Sequence, residues 1–278
     1  ARRFYRVEPN HEIVAAPGTQ SLIELLPRTL PGRRAALLLT ENGTYNEHAH
    51  GLEQAGIAVV QTSSIRNATD GFDLAVLVHP NNPDGHFWDR DAVLNLAEKI
   101  RIPGGHVIVD EAFCDLAPER SFVTDAPSNM IIYRSFGKFF GLAGLRLGFA
   151  ICTAEIALQL RKRIGPWPIS GPAIEIGKQA LNETGWSDKT RNWLEIQSGR
   201  LIEVLESAGL QVIGKHRLFV LAKGCNAEVI AAGLAREHIL VRSFPDRPDL
   251  LRFGLPDSEA GLSRLSCALA GTGLREAS

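Results

Sequence analysis

Arg134-Ser135-Phe136-Gly137-Lys138-Phe139-Phe140-Gly141-Leu142-Ala143-Gly144-Leu145-Arg146-Leu147-Gly148-Phe149 joins one apolar run to the next. Residues 130–135 read as a strand and 146–152 as its successor. Lys138 then lies in a glycine-containing loop, and Arg146 opens the second strand. Working outward, short apolar runs recur at 35–40, 58–62, 74–79 and 106–110. Leu74-Ala75-Val76-Leu77-Val78 shows no polar alternation, as expected of a strand covered on both faces in a mainly parallel sheet. Amphipathic stretches at 22–30, 45–55 and 89–100 fall between the runs, with Asp89 placed to cap the last. Strand–helix alternation of this kind predicts an α/β domain.

The pattern changes near residue 187. A long helix is expected over 187–207, then strands at 210–213 and 218–222, a helix at 227–237, strands at 239–244 and 250–253, and a helix at 258–270. This divides the chain into a large domain, 1–186, and a smaller C-terminal α/β domain, 187–278.

Composition excludes several functions. The 278 residues carry a formal net charge of −1 and no long basic run, so nothing drives the chain towards nucleic acid or an acidic membrane surface. Cys114, Cys152, Cys225 and Cys267 form no C-x-x-C pair, which argues against a zinc ribbon or a thioredoxin motif. Scattered thiols of this kind suit a reduced, cytoplasmic protein. The longest apolar stretch, 141–160, is interrupted by Arg146 and Glu155, and residues 1–6 lack the apolar core of a signal peptide. A small-molecule substrate remains the expected partner.

Five features carry chemistry, each with a plainer alternative. Lys138 can supply an amine, and Ser135 and Arg146 a hydroxyl and a cation, as pyridoxal 5'-phosphate requires; a solvated surface loop is the alternative. Asp110 ends the run Val107-Ile108-Val109-Asp110. A carboxylate there could hold a pyridine nitrogen protonated, or simply cap a strand. His79-Pro80-Asn81-Asn82-Pro83-Asp84-Gly85 is a turn in its own right, and the Asn82 amide could also donate to a phenolic oxygen. Gly18, Thr19 and Gln20 open a helix and could offer N–H groups to an anion, or form an ordinary cap. Tyr45 could stack on a flat ring or fill a core.

Rival chemistries fail on spacing. Ser135-Phe136-Gly137-Lys138 is an S-x-x-K, but the S-D-N and K-T-G partners of penicillin-binding enzymes are missing. Gly141, Gly144 and Gly148 do not make G-x-G-x-x-G, which weighs against a nicotinamide dehydrogenase. His48 and His50 read as two exposed helix histidines that share no face, so no metal site is expected.

The order of these features resembles the active-site order of the fold-type I pyridoxal-phosphate enzymes, the aspartate aminotransferase superfamily. The eight-residue spacing from Lys138 to Arg146 matches, and the likeness runs to Leu250-Leu251-Arg252-Phe253-Gly254-Leu255-Pro256. It implies a cofactor site of Gly18, Thr19, Gln20, Tyr45, Asn82, Asp110, Ser135, Lys138 and Arg146. Lys138 and Asp110 are the catalytic pair, Arg252 grips a substrate carboxylate, and the active sites form between the subunits of a homodimer. Within the superfamily, stretches such as Thr44-Tyr45-Asn46-Glu47-His48-Ala49, Asp110-Glu111-Ala112-Phe113 and Ile239-Leu240-Val241-Arg242-Ser243-Phe244 are similar to the threonine-phosphate decarboxylases of cobalamin biosynthesis. These are relatives of the histidinol-phosphate aminotransferases, which usually carry Tyr at the position of Phe113. The resemblance therefore implies decarboxylation of L-threonine O-3-phosphate to 1-amino-2-propanol O-2-phosphate; transamination, or cofactor binding without turnover, is the alternative. In that family an arm ahead of the present Ala1 closes the site. It is expected either to be missing or to precede the sequence given. Arg242 and His216 are further, weaker candidates for the substrate phosphate, with surface roles as the alternative.

Overall fold

The computed structural model describes residues 1–101 and 104–271. It separates into two units, 1–82 with 86–184, and 83–85 with the residues from 185 onward. In the first unit the elements run α1 (Arg2–Tyr5), β1 (Glu12–Ala16), α2 (Thr19–Leu25), β2 (Arg34–Leu38), α3 (Glu47–Gln54), β3 (Ala58–Thr62), β4 (Leu74–Val78), α4 (Arg90–Arg101), β5 (His106–Asp110), β6 (Met130–Ser135), β7 (Gly148–Cys152), α5 (Ala154–Ile164) and α6 (Gly171–Ala180).

Seven strands form one sheet in the order β1-β7-β6-β5-β4-β2-β3. The pairs β2–β3, β2–β4, β4–β5 and β5–β6 are parallel, and β7 runs antiparallel to both β6 and β1. Register fixes what meets at one edge. Val78 lies beside Asp110, and Gly148 pairs with Ser135 on one side and Ala16 on the other. The carboxyl ends of β1, β4, β5 and β6 thus gather at the edge where β7 begins.

The helices cover the sheet by ordinary amphipathic logic. Leu22, Ile23 and Leu26 from the α2 region, Leu52 of α3, and Ile156 and Leu160 of α5 are buried in one cluster with Leu37, Leu74, Val76, Ile108, Ile131 and Tyr133. Val93, Leu96, Ala97 and Ile100 form the buried stripe of α4, spaced as a helix face requires. Every residue of β4, β6 and β7 is buried, as the apolar runs of β4 and β7 predict, whereas β6 ends on the buried polar pair Arg134 and Ser135.

The second unit holds α7 (Thr184–Ser207, entered from the first unit), β8 (Gln211–His216), β9 (Phe219–Lys223), α8 (Ala227–Arg236), β10 (Arg242–Ser243), β11 (Leu250–Gly254) and α9 (Glu259–Ala270). Its sheet, β10-β11-β9-β8, is antiparallel throughout. Leu201, Leu205, Val220, Ile230, Leu234, Phe253, Leu262 and Leu265 make its core. Ser258 caps α9 by accepting from the Gly261 N–H.

Several expectations need adjusting. The helix expected over 22–30 starts earlier and ends at Leu25, because Gly18 already sets its first turn. The strand expected over 239–244 shrinks to Arg242 and Ser243, the two residues that pair with β11. Strand β1 and helices α5 and α6 were not expected. Helix α5 nevertheless carries Glu155 in its first turn, Arg161, Lys162 and Arg163 in its last, and Gly165 just beyond, all suited to the helix dipole and its cap. Among the described residues no helix is long and apolar enough to cross a membrane.

Candidate active site

At the gathered strand ends lies a pocket lined by Gly18, Thr19, Gln20, Tyr45, Asn82, Asp110, Ser135, Lys138 and Arg146. The nine residues expected to share a cofactor site therefore line one cavity in the first unit. Val78, Ala112, Phe113, Gly137, Ala143 and Leu147 complete it.

Asp110 is the last residue of β5 and is only 3% exposed. Its Oδ1 accepts the Ala112 backbone N–H at 3.0 Å. Its Oδ2 lies 2.9 Å from His48 Nε2. This corrects the expectation for His48: it is buried, at 3% exposure, because α3 turns His48, Gly51 and Leu52 inward as one face. His50 points the other way and is exposed, so the separation of the two histidines stands. The His48 ring stacks on Tyr133, with centroids 6.3 Å apart and planes 11° from parallel, and meets Tyr45 edge-on.

Lys138 sits in the loop after β6, exposed at the pocket, with its Nζ 5.3 Å from the centroid of the Phe113 ring. Arg146 does not open β7. It precedes the strand, in left-handed backbone geometry (φ 50°), after a short turn at Ala143–Leu145. That bend lays its guanidinium against Gly18. A Cβ on Gly18, itself at φ +84°, would stand 2.6 Å from an Arg146 nitrogen. A Cβ on Gly148 would stand 2.7 Å from the Thr19 backbone nitrogen. Glycine at both positions lets the start of α2, the start of β7 and the arginine close on one another.

The Asn-Pro turn divides its labour. Asn82 lines the pocket, whereas Asn81 is fully buried and holds the segment that carries Tyr45. Asn81 Oδ1 accepts from the Thr44 hydroxyl at 2.8 Å, and its amide donates to the Gly43 carbonyl at 3.0 Å. Gln20 links the same region: it accepts from the Tyr45 hydroxyl at 3.4 Å and donates to Glu47 at 3.0 Å. Asn81 and His48 are the residues that the sequence alone does not single out.

Beside the pocket, Glu111 enters a buried ionic cluster. Arg134 donates to Glu111 at 2.6 Å and also pairs with Asp115, while its guanidinium lies over the Tyr5 ring. The Ser121 hydroxyl and the Phe122 N–H donate to the remaining positions of Glu111, at 2.6 and 2.7 Å. Burial raises the pKa of Glu111, and Arg134 and these donors pull against it. His79, just beyond β4, is held in its neutral form: Nδ1 accepts the Trp88 N–H, Nε2 donates to the Arg120 carbonyl, and burial lowers its pKa to about 4. The thiols are chemically quiet where buried; burial pushes Cys152 up to about 12.

Arg252 belongs to the second unit, on β11, where it lies over the Phe219 ring. Burial and the neighbouring Arg242 lower its pKa. In the same unit His216 is buried at the end of β8, stacked on Phe219, whereas Arg242 is exposed.

Residues 1–264 match the family of class I and II aminotransferases. A threonine-phosphate decarboxylase of Sinorhizobium sp is 42% identical over 256 residues, covering 91% of this chain and 76% of that protein. A threonine-phosphate decarboxylase of Pseudomonas aeruginosa is 36% identical over 264 residues, covering 93% and 78%. In backbone, the crystal structure of histidinol-phosphate aminotransferase from Sinorhizobium meliloti in complex with pyridoxal-5'-phosphate superposes with a TM-score of 0.86 at 20% identity, over 100% of this chain and 80% of that one.

Proposed function

We propose that this chain, which belongs to the class I and II aminotransferase family, is a pyridoxal 5'-phosphate enzyme that decarboxylates L-threonine O-3-phosphate to 1-amino-2-propanol O-2-phosphate. The observation that carries the reading is the single pocket that collects an amine, a buried carboxylate, an arginine and a helix start, in a chain 42% identical to a threonine-phosphate decarboxylase.

The donor set suits the cofactor. Arg146 lies where a Gly18 side chain would stand, and Ser135 and the Thr19–Gln20 turn line the same pocket, so this end fits a phosphate. Asp110 is an acceptor held in place at the pocket, and Asn82 brings an amide to the same pocket. Tyr45 supplies a flat apolar face. When bound, pyridoxal phosphate supplies an electron sink that lets a bond at the substrate Cα break.

The protein residues do the rest. Lys138 provides the amine that carries the cofactor and can return a proton to the substrate Cα. The Phe113 ring beside Lys138 Nζ offers no hydroxyl that could compete for that proton. Asp110, oriented by the Ala112 N–H and His48, would pair with the ring nitrogen of the cofactor. Arg252 takes the substrate carboxylate. The exposed Trp167, Ile174 and Ile176 support a homodimer, which sedimentation velocity would test.

The deciding assay supplies L-threonine O-3-phosphate and pyridoxal phosphate without a 2-oxo acid. Release of CO2 with aminopropanol phosphate is expected. Amino transfer from histidinol phosphate to 2-oxoglutarate, without CO2, would instead identify an aminotransferase. Lys138→Ala should lower turnover by at least about a thousandfold and remove the absorbance of covalently held cofactor. An unchanged spectrum would overturn the role of Lys138.

A further inference from the structure

We propose that a second cavity, at the opposite edge of the seven-stranded sheet from the pocket of Lys138, binds a small organic cation that carries N–H donors and a short apolar body. β5 and β6 begin at this edge and the antiparallel β7 ends there, so His106, Asn129 and the first turn of α5 meet. The cavity holds about 500 Å³, in the size range of small-molecule sites, and Leu30 and Ile156 give it an apolar wall. It lies within the first unit and shares no lining residue with the pocket of Lys138.

The cavity has acceptors that lack a donor. Asn129 lines it and is 5% exposed. Its Nδ2 donates to the Ala97 carbonyl at 2.8 Å and to the Gly105 carbonyl at 3.2 Å, which fixes the amide and leaves Oδ1 as the unused end. Oδ1 has no hydrogen-bond partner among the described residues, and neither has Nδ1 of His106. The Asn129 carbonyl accepts the Val107 N–H at 2.9 Å, which holds the residue next to the start of β5. An amide oxygen can only accept, and a buried acceptor without a donor costs stability until something supplies one. Charge points the same way. Glu155 lines the cavity and enters no ion pair among the described residues. Arg101, on the same wall, is already paired with Glu98 at 2.7 Å. Burial lowers the pKa of His106 while Glu155 pulls it back up, so the ring is neutral at neutral pH. The first turn of α5, which Thr153 leaves without a side-chain cap, would by itself favour an anion, but Glu155 stands in that turn and offsets it.

The test is calorimetric titration of the cofactor-loaded protein with ethylguanidinium, which does not readily condense with the cofactor aldehyde. Tetraethylammonium, of the same charge but without N–H, and propionate serve as controls. Ethylguanidinium should bind at least about tenfold more tightly than either, as expected for a hydrogen bond that involves a charged group. The absorbance of the cofactor should stay as it is, and the side-chain amide resonance of Asn129 should move in nitrogen-15 spectra. Glu155→Gln, at an exposed position, should weaken binding by about threefold to tenfold at unchanged melting temperature. No binding of ethylguanidinium in the millimolar range would overturn the proposal, as would equal binding of tetraethylammonium or tighter binding of propionate. So would an unchanged affinity in Glu155→Gln. A cofactor absorbance that shifts with the titration, or an Asn129 resonance that stays still, would place the ligand elsewhere and overturn it too. Should Glu155→Gln melt early, the two control ions and the Asn129 resonance decide on the wild-type protein. None of these readouts depends on decarboxylation, so a failed activity assay leaves the cavity open to measurement.

Discussion

Asp110 and Glu111 are consecutive residues, both buried and both acidic, at the end of the same strand. Successive side chains of an extended chain point to opposite sides, and here that sends them into different chemistry. Asp110 meets one imidazole and one backbone N–H and keeps a face on the pocket. Glu111 is surrounded by Arg134, Ser121 and the Phe122 N–H, all of them parts of the protein. A buried acid whose partners are all internal holds the fold. A buried acid with a face towards a cavity is available to a ligand. Charge and burial alone do not separate the two; the partner list does.

The comparison can be broken most severely at Arg134. Arg134→Met leaves Glu111 and Asp115 buried without their cation and should cost about 3–5 kcal/mol in urea denaturation. A loss below about 1 kcal/mol would show that the cluster is not structural. His79 tests the same side by pH. Its pKa is about 4 in the fold against 6.5 for an ordinary histidine, so the unfolded chain takes up its proton first. Stability from this group is complete above pH 6.5 and is lost as pH falls towards 4, by about 3 kcal/mol in all. His79→Gln should flatten that part of the pH dependence, and an unchanged slope would remove His79 from the account.

Asp110→Asn should act on the other side, lowering kcat on the order of a hundredfold while the urea midpoint moves little. The reverse pattern, intact turnover with a large loss of stability, would place Asp110 with Glu111. The smallest change is Ser121→Ala, which deletes one donor to Glu111. It should cost about 1.5 kcal/mol and leave cofactor affinity unaltered.

The same distinction marks what could be read from the residues. Lys138, Asp110, Asn82 and Arg146 stand at the ends of apolar runs, and in an α/β sheet such ends meet at one edge. His48 could not be read this way. Its partner is 62 residues away, and an imidazole on a polar helix looks the same whether or not a carboxylate faces it. Asn81 and Asn82 are indistinguishable in a turn signal, and only the folded loop decides which one clamps Thr44 and which one lines the pocket.

Sequence by itself determined six of the seven strands of the large sheet and the nine residues that line one pocket, because burial leaves apolar runs and the chemical groups sit close to their ends. Tertiary structure decided that β7 runs against its neighbours, that β1 pairs at the edge, and that His48 faces Asp110. Strand direction and long-range pairing depend on where the chain returns in space, and a buried run of Val, Ile and Ala has the same composition in either direction.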